Sequence, residues 1–86
     1  MYETFTDCLR ALLNECKGGL ITRSNNRFYY AVPGQPEPEG ELFLGVYPSA
    51  TPEVDWRVMF LGGPEAEAAY REYTSNPENG DLLRAA

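Results

Sequence analysis

Four short β-prone segments lie between two helical patterns in this chain, and the lengths of their connections constrain the fold more than any other feature. The three connections hold three, nine and six residues. Parallel strands need a crossover of a dozen or more residues, so connections of this length favour antiparallel pairing. The sequence therefore predicts an α+β fold in which a four-stranded antiparallel sheet is flanked by an N-terminal and a C-terminal helix.

The first helical pattern covers residues 5–17. Thr4 is a candidate N-cap, and the pair Gly18 and Gly19 is typical of a helix end, because glycine adopts positive φ readily. Apolar residues recur at intervals of three and four, which places them on one stripe of the helix. The stripe consists of Phe5, Cys8, Leu9, Leu12, Leu13 and Cys16.

The β-prone segments are bounded by residues that turn or end a strand. Asn25 and Asn26 tolerate positive φ, which predicts a hairpin. Pro33 and Pro48 cannot donate to a strand ladder and end their segments. The loop 33–41, with the sequence PGQPEPEGE, is long enough either to close a simple hairpin or to cross over a neighbouring strand. The predicted strands cover residues 20–23, 27–32, 42–47 and 54–61, and the second helix covers residues 64–74.

The length of 86 residues fits one small domain, and a content of 43% hydrophobic residues is too apolar for a disordered chain. We expect residues 1–86 to form a single α+β domain, with residues 75–86 as a loosely ordered tail. No apolar run approaches the roughly 18 residues that span a bilayer, and no basic secretory signal is evident. On one helix Cys8 and Cys16 would be about 12 Å apart, beyond disulfide reach, so both thiols are expected to be reduced. These features predict a cytoplasmic protein of a bacterial host.

Charge is distributed unevenly along the chain. In total, 13 acidic and 7 basic side chains give a net charge of −6. Residues 1–32 carry three acids against four bases, a balance of +1, whereas residues 33–81 carry ten acids against two arginines, a balance of −8. The second half is therefore predicted to produce a directional negative field.

The residue types disfavour catalysis and metal binding. Histidine is absent, which removes the commonest acid–base group at neutral pH and the commonest metal ligand. Cysteines on an apolar stripe fit packing better than nucleophilic chemistry. The acidic pairs lie in predicted loops, at a strand start and in a first helical turn, not in the convergent, partly desolvated positions that hydrolysis or a divalent cation needs. We predict a non-enzymatic protein with no catalytic residue, cofactor or metal.

Direct binding of nucleic acid is also disfavoured. Arg23 and Arg27 flank the tip of the predicted hairpin, and aromatic residues follow at 28–30, a combination that single-strand binders use. Two arginines do not offset a balance of −8 elsewhere, because phosphate contacts supply most of the affinity for nucleic acid. We expect neither nucleic acid nor a membrane as a direct partner.

Recognition of a basic protein is the leading interpretation. The acids at positions 37, 39 and 41 of the loop 33–41 are restrained by Pro36 and Pro38, so their carboxylates are held at low entropic cost, although such a loop also suits a solvated connector. The predicted partner-binding residues are Glu37, Glu39, Glu41, Glu53, Asp55, Glu65, Glu67, Tyr47 and Tyr70. Tyrosine is enriched at interface hot spots, and the acids would imitate a phosphate array.

The expected partner is therefore a nucleic-acid-binding effector that the protein inhibits through a basic surface. In size and charge the chain is similar to phage-encoded antagonists of bacterial defence, such as anti-CRISPR proteins, and the alternative is an immunity protein or antitoxin that neutralises a nuclease toxin. A rival of another class is an accessory domain that binds a small molecule or peptide. Its pocket would be lined by Phe28, Tyr30, Phe43, Tyr47 and Trp56.

Overall fold

The computed structural model describes residues 1–15, 17–48 and 56–76, and it confirms the α+β fold. Every strand pair is antiparallel, and the strand order across the sheet is β2-β1-β3-β4. The elements are α1 (Phe5–Asn14), β1 (Gly19–Ser24), β2 (Arg27–Ala31), β3 (Glu41–Pro48), β4 (Trp56–Met59) and α2 (Pro64–Ser75). The predicted four-stranded antiparallel sheet with a helix at each end of the chain is thus present.

Helix α1 begins where the sequence places it and ends earlier. The Thr4 hydroxyl accepts a hydrogen bond from the Asp7 backbone N–H at 3.2 Å, which satisfies one of the free donors at the helix start. At the other end the Glu15 N–H donates to the Leu12 carbonyl at 3.1 Å. This three-residue spacing is that of a tight 3₁₀ turn, so the helix ends at Asn14 and not at the predicted residue 17.

A two-residue turn joins β1 and β2. Asn25 and Asn26 both have positive φ, 52° and 61°, and Ser24 pairs with Arg27. Positive φ at both central residues gives the type I′ turn whose twist matches the flanking strands. The predicted hairpin is therefore confirmed, and asparagine supplies the required backbone conformation.

Residues 33–40, called here the crossing loop, pass over β1, because β2 and β3 lie on opposite sides of that strand. The loop starts with a turn in which the Gln35 N–H donates to the Val32 carbonyl at 3.1 Å. The Gln35 side-chain oxygen accepts from the Val32 N–H at 3.2 Å, which closes the same turn from its other side. Of the two routes open to the loop 33–41, the structure takes the crossover.

The core lies between the helices and one face of the sheet. Both helices contribute to a single apolar cluster, and the Phe5 ring packs edge-on at 5.4 Å from Phe43 and 6.5 Å from Tyr73. A register shift opposite Ile21 and Thr22 leaves Phe43 as an extra residue in β3, a β-bulge. Strict alternation would put neighbouring side chains on opposite faces, yet Phe43 and Leu44 are both buried in the core.

Helix α2 begins at Pro64 as predicted and ends at Ser75, one residue beyond the predicted end. Its buried residues are Ala66, Tyr70 and Tyr73. Strand β4 is described over Trp56–Met59, and Phe60 and Leu61, which were expected in the strand, belong to the turn before α2. Within the described part of the chain, the helices are too short or too polar to cross a bilayer.

Candidate protein-docking surface

The face of the sheet turned away from the helices, called here the outer face, carries an exposed apolar patch. Ile21 points into the core, so its neighbour Thr22 points to the outer face, together with the cross-strand partners of Thr22. Three outer-face side chains are substantially exposed: Leu42 at 41%, Tyr47 at 39% and Met59 at 52%. Neither of the described helices covers this patch.

Tyr47 lies flat against the outer face because Gly45 leaves room for its ring. Tyr47 follows Gly45 by two residues on β3, so both belong to the same face. A Cβ atom at Gly45 would lie 2.9 Å from Cε2 and 3.0 Å from Oη of Tyr47. The missing side chain thus lets the phenol ring cover the strand, where it remains partly exposed.

The crossing loop and Tyr47 enclose a shallow outer-face depression of 210 Å³. Its lining is mainly apolar side chains and backbone from the start of β1, the end of β2 and the loop, with Glu37 as its one ionised group. The lining residues are Gly19, Leu20, Ala31, Val32, Pro33, Gly34, Gln35, Glu37 and Tyr47.

Thr22 fixes the far part of the crossing loop against the sheet. Its hydroxyl donates a hydrogen bond to the backbone carbonyl of Glu39 at 3.4 Å, and Thr22 is fully buried. Gly40 then approaches β1 so closely that an added Cβ would lie 2.6 Å from the Arg23 carbonyl oxygen. The crossing loop is therefore held at both ends, by the turn at Gln35 and by the contacts of Glu39 and Gly40 with β1.

Two of the predicted acids on this loop have carboxylates with no partner in the described part of the chain. Glu37 and Glu39 are exposed, and neither side chain forms an ion pair or hydrogen bond with another described residue. Glu67 differs, because its carboxylate pairs with Arg71 at 2.6 Å, one helical turn later. The charge of Glu67 is thus partly balanced within α2, whereas those of Glu37 and Glu39 face solvent.

Arg23 brings two other predicted acids together. Its Nη2 atom lies 2.5 Å from a Glu65 carboxylate oxygen and 3.9 Å from a Glu41 carboxylate oxygen. The guanidinium also sits 5.0 Å from the centre of the Phe43 ring, within the range of a cation–π contact. The two carboxylates do converge, but around a cation of the same chain, at the edge of a 510 Å³ cleft beside the β1–β2 turn.

Those predicted acids that the structure describes therefore fall into separate groups and do not form one continuous array. Glu37 borders the depression beside Gly19 and Tyr47, whereas Glu41 pairs with Arg23 at the other end of β1. The four-residue separation of Gly19 and Arg23 corresponds to about 13 Å along the strand. The structure places Glu37 next to Tyr47, and Glu41 next to Glu65.

Tyr70 belongs to the core and not to an interface, which corrects its predicted role. It is 6% exposed, and its ring lies 5.4 Å from that of Phe60. Burial raises its pKa above the ordinary value of 10.0. A ring in this position has no contact area to offer a partner. Glu53 and Asp55, the remaining acids of the predicted set, lie outside the described residues.

The aromatic residues that were considered as one pocket lie on both faces of the sheet. Phe28 and Phe43 pack against each other at 5.3 Å beneath the helices, and Tyr30 packs against the same core. Tyr47 is on the outer face, and the Trp56 side chain lies outside the described part of the structure. The four described rings therefore do not line a common cavity.

No reactive centre emerges from the described residues. Residues 1–15, 17–48 and 56–76 contain no group of three or more acidic or cysteine side chains placed to hold a metal ion. Cys8 is fully buried, and burial raises the pKa of its thiol from 9.0 to about 12. A protonated, inaccessible thiol is a poor nucleophile.

Comparison of the chain with known protein families, with curated proteins and with solved structures gave no match. Sequence reasoning missed Leu42 and Met59 as surface residues and Arg23 as the cation between two acids. For Met59 a signal was present, since alternation places it on the same face of the strand as Arg57. For Leu42 alternation was misleading, because it groups Leu42 with the buried Leu44 and Val46, and only the β-bulge at Phe43 turns Leu42 to the outer face. For Arg23 there was none, because its acidic neighbours come from distant parts of the chain.

Proposed function

We propose that this protein is a non-enzymatic inhibitor that docks through its outer face on a basic surface of a nucleic-acid-handling protein, in the manner of phage-encoded anti-defence proteins of the anti-CRISPR type. A single observation carries the proposal. The crossing loop is fixed across the outer face, and it places the unpaired carboxylates of Glu37 and Glu39 beside an exposed apolar patch that includes Tyr47.

This arrangement has the composition of a protein–protein interface. Such interfaces combine an apolar centre with a polar rim, and tyrosine is frequent among their energetically important residues. Here Leu42, Tyr47 and Met59 supply apolar area, and the two glutamates supply the rim. Negative rim charges steer a positively charged partner and raise its association rate, which makes binding sensitive to salt.

The fixed backbone of the crossing loop favours binding as well. Pro36 and Pro38 restrict φ in the loop, and the Thr22 hydroxyl holds its far end. A loop that is already ordered loses little conformational entropy when a partner binds, so more of the contact energy appears as affinity. The acids on the loop are thus better placed for recognition than acids on a disordered connector.

The proposed interface is narrower than the residue set predicted from the sequence. It contains Glu37, Glu39 and Tyr47 from that set and adds Leu42 and Met59. Glu41, Glu65 and Glu67 are partly neutralised within the chain, so they contribute to the long-range field and not to the contact.

Charge reversal tests the proposal directly. The double variant Glu37→Lys/Glu39→Lys and the matched control Glu3→Lys/Glu72→Lys change the net charge equally, and all four positions are exposed. Each immobilised protein is incubated with host lysate, captured proteins are identified by mass spectrometry, and affinity for the purified partner is measured by calorimetry at two salt concentrations.

We expect wild type and the control to retain a nucleic-acid-binding partner that the loop variant loses. The nucleic acid that this partner normally binds should compete with the protein for the partner. Equal retention by both variants would remove the crossing loop from the interface. Failure of nucleic acid to compete would exclude the phosphate-binding surface as the target. A nuclease toxin as the captured partner would assign the protein to the immunity class instead.

A further inference from the structure

We infer that the outer-face depression is a receptor for one arginine side chain of the partner, with the guanidinium between the Tyr47 ring and the Glu37 carboxylate. The inference rests on the proposed function and adds the chemical group that the protein recognises. It concerns the single depression of 210 Å³ and not the other acidic side chains of the chain.

The size of the depression favours a single side chain. Small-molecule sites usually measure about 300–1,000 Å³ and enclose most of their ligand. A cavity of 210 Å³ that is open to solvent is smaller than this range. A long side chain that enters from a partner surface matches both the volume and the open mouth.

The lining of the depression matches the two chemical parts of arginine. Leu20, Ala31 and Pro33 provide apolar surface for the methylene stem, which long basic side chains bury readily. Glu37 provides a carboxylate with no partner among the described residues, and Tyr47 provides an aromatic ring that is partly exposed. A guanidinium is planar and weakly hydrated, so it stacks on a ring and bonds a carboxylate better than a lysine ammonium does.

Elsewhere in the chain, an arginine already contacts an aromatic ring and a carboxylate at the same time. Arg23 lies over the Phe43 ring at 5.0 Å and against the Glu65 carboxylate at 2.5 Å. At the depression the ring and the carboxylate are present, and the described lining residues include no cation. Arg57 on β4 lies opposite Tyr47 in the strand register but does not line the depression.

Fluorescence anisotropy with labelled hexa-arginine and hexa-lysine peptides at low salt tests the inference. The full chain is used as wild type and as the variants Glu37→Gln, Tyr47→Leu and Tyr47→Phe. Glu72→Gln is the matched control, because it removes an equal charge from an exposed position on α2. Amide spectra of each variant check that the fold is retained.

Wild type is expected to prefer hexa-arginine over hexa-lysine. A cation–π contact at an exposed site contributes about 0.5–1 kcal/mol, so Tyr47→Leu should weaken hexa-arginine binding about two- to five-fold and reduce the preference, whereas Tyr47→Phe should keep it. Glu37→Gln should weaken binding more than Glu72→Gln does. Amide shifts on arginine binding should centre on Leu20, Ala31 and Gly34.

The experiment distinguishes failure of the arginine site from failure of the proposed function. If hexa-arginine binds wild type but Glu37→Gln and Tyr47→Leu behave like Glu72→Gln, the arginine site is overturned while recognition of a basic partner stands. If wild type binds neither peptide at low salt, recognition of basic groups fails, and the proposed function fails with it. Equal affinity for the two peptides in every variant would also overturn the arginine site.

Discussion

The face of the sheet beneath the helices, called here the helix face, contributes buried side chains to the apolar core, whereas the outer face buries Thr22 but leaves Leu42, Tyr47 and Met59 exposed. The difference follows from what covers each face. Helix α1 brings a continuous apolar stripe, so it removes apolar surface from water. The crossing loop consists of proline, glycine, glutamine and glutamate, so it covers backbone and a hydroxyl but adds little apolar burial. One face thus stabilises the fold, and the other is left available for binding.

Truncation of one leucine on each side of the sheet should show the largest difference in stability between the two faces. Leu12 on α1 is fully buried, and Leu42 on the outer face is 41% exposed. Leu12→Ala should lower the free energy of unfolding by about 2–5 kcal/mol, because it leaves a cavity in the core. Leu42→Ala should change it by about 0.5 kcal/mol or less, as is usual for surface positions.

Chemical denaturation monitored by circular dichroism measures both values. Similar losses for the two variants would mean that the outer face contributes to stability as the helix face does. In that case the exposed patch would be part of the core and not a docking surface.

The pH dependence of stability tests whether the core beneath the helices is shielded from water at Cys8. Burial raises the pKa of Cys8 from 9.0 to about 12, so at alkaline pH the unfolded chain loses this proton before the folded one does. The contribution is fully present below pH 9 and is lost as pH rises towards 12. Between pH 8.5 and 10.5 the free energy of unfolding should therefore fall by about 2 kcal/mol on account of this group.

Denaturant titrations of wild type and Cys8→Ala at both pH values isolate that effect, since all other titrating groups are common to the two proteins. The difference between their stabilities should shrink as pH rises. A difference that stays constant would show that Cys8 titrates alike in the folded and unfolded states, and the helix face would not be dry at this point.

The smallest loss of stability is expected at Thr22, whose hydroxyl holds the far end of the crossing loop. Thr22→Val keeps the shape of a buried side chain and removes its hydrogen bond to the Glu39 carbonyl. Because that bond is long, at 3.4 Å, the loss of stability should be about 0.5 kcal/mol, the lower end of the usual contribution. The crossing loop should nevertheless open more often and be cut faster by a glutamate-specific protease.

Thr74→Val is the matched control, since the Thr74 hydroxyl bonds to the Arg71 carbonyl within α2. Cleavage after Glu39 should accelerate in the Thr22 variant alone. Unchanged cleavage there would mean that the loop is held by other contacts, and the rigidity argument for its acids would need a different basis.

Prediction from sequence succeeded where the determining contacts are local. The capping hydroxyl of Thr4, the positive φ of Asn25 and Asn26, and the start of α2 at Pro64 all depend on residues a few positions apart. The end of α1 was misjudged because the apolar stripe continues past the point where the backbone tightens. The pairing of acids with Arg23 depends on elements distant in the chain, and no local pattern encodes it. The burial of Tyr70 does have a local signal, because Ala66, Tyr70 and Tyr73 recur at intervals of four and three on α2.

The sequence by itself determined the type and order of the six elements, since periodicity, caps and turn residues act over a few positions. It also determined that negative charge dominates after residue 32. Only the tertiary structure decided the strand order, the route of the crossing loop over β1 and the division of the acids into paired and unpaired groups. These features arise from contacts between remote residues, where several arrangements satisfy the same local preferences and packing selects one of them.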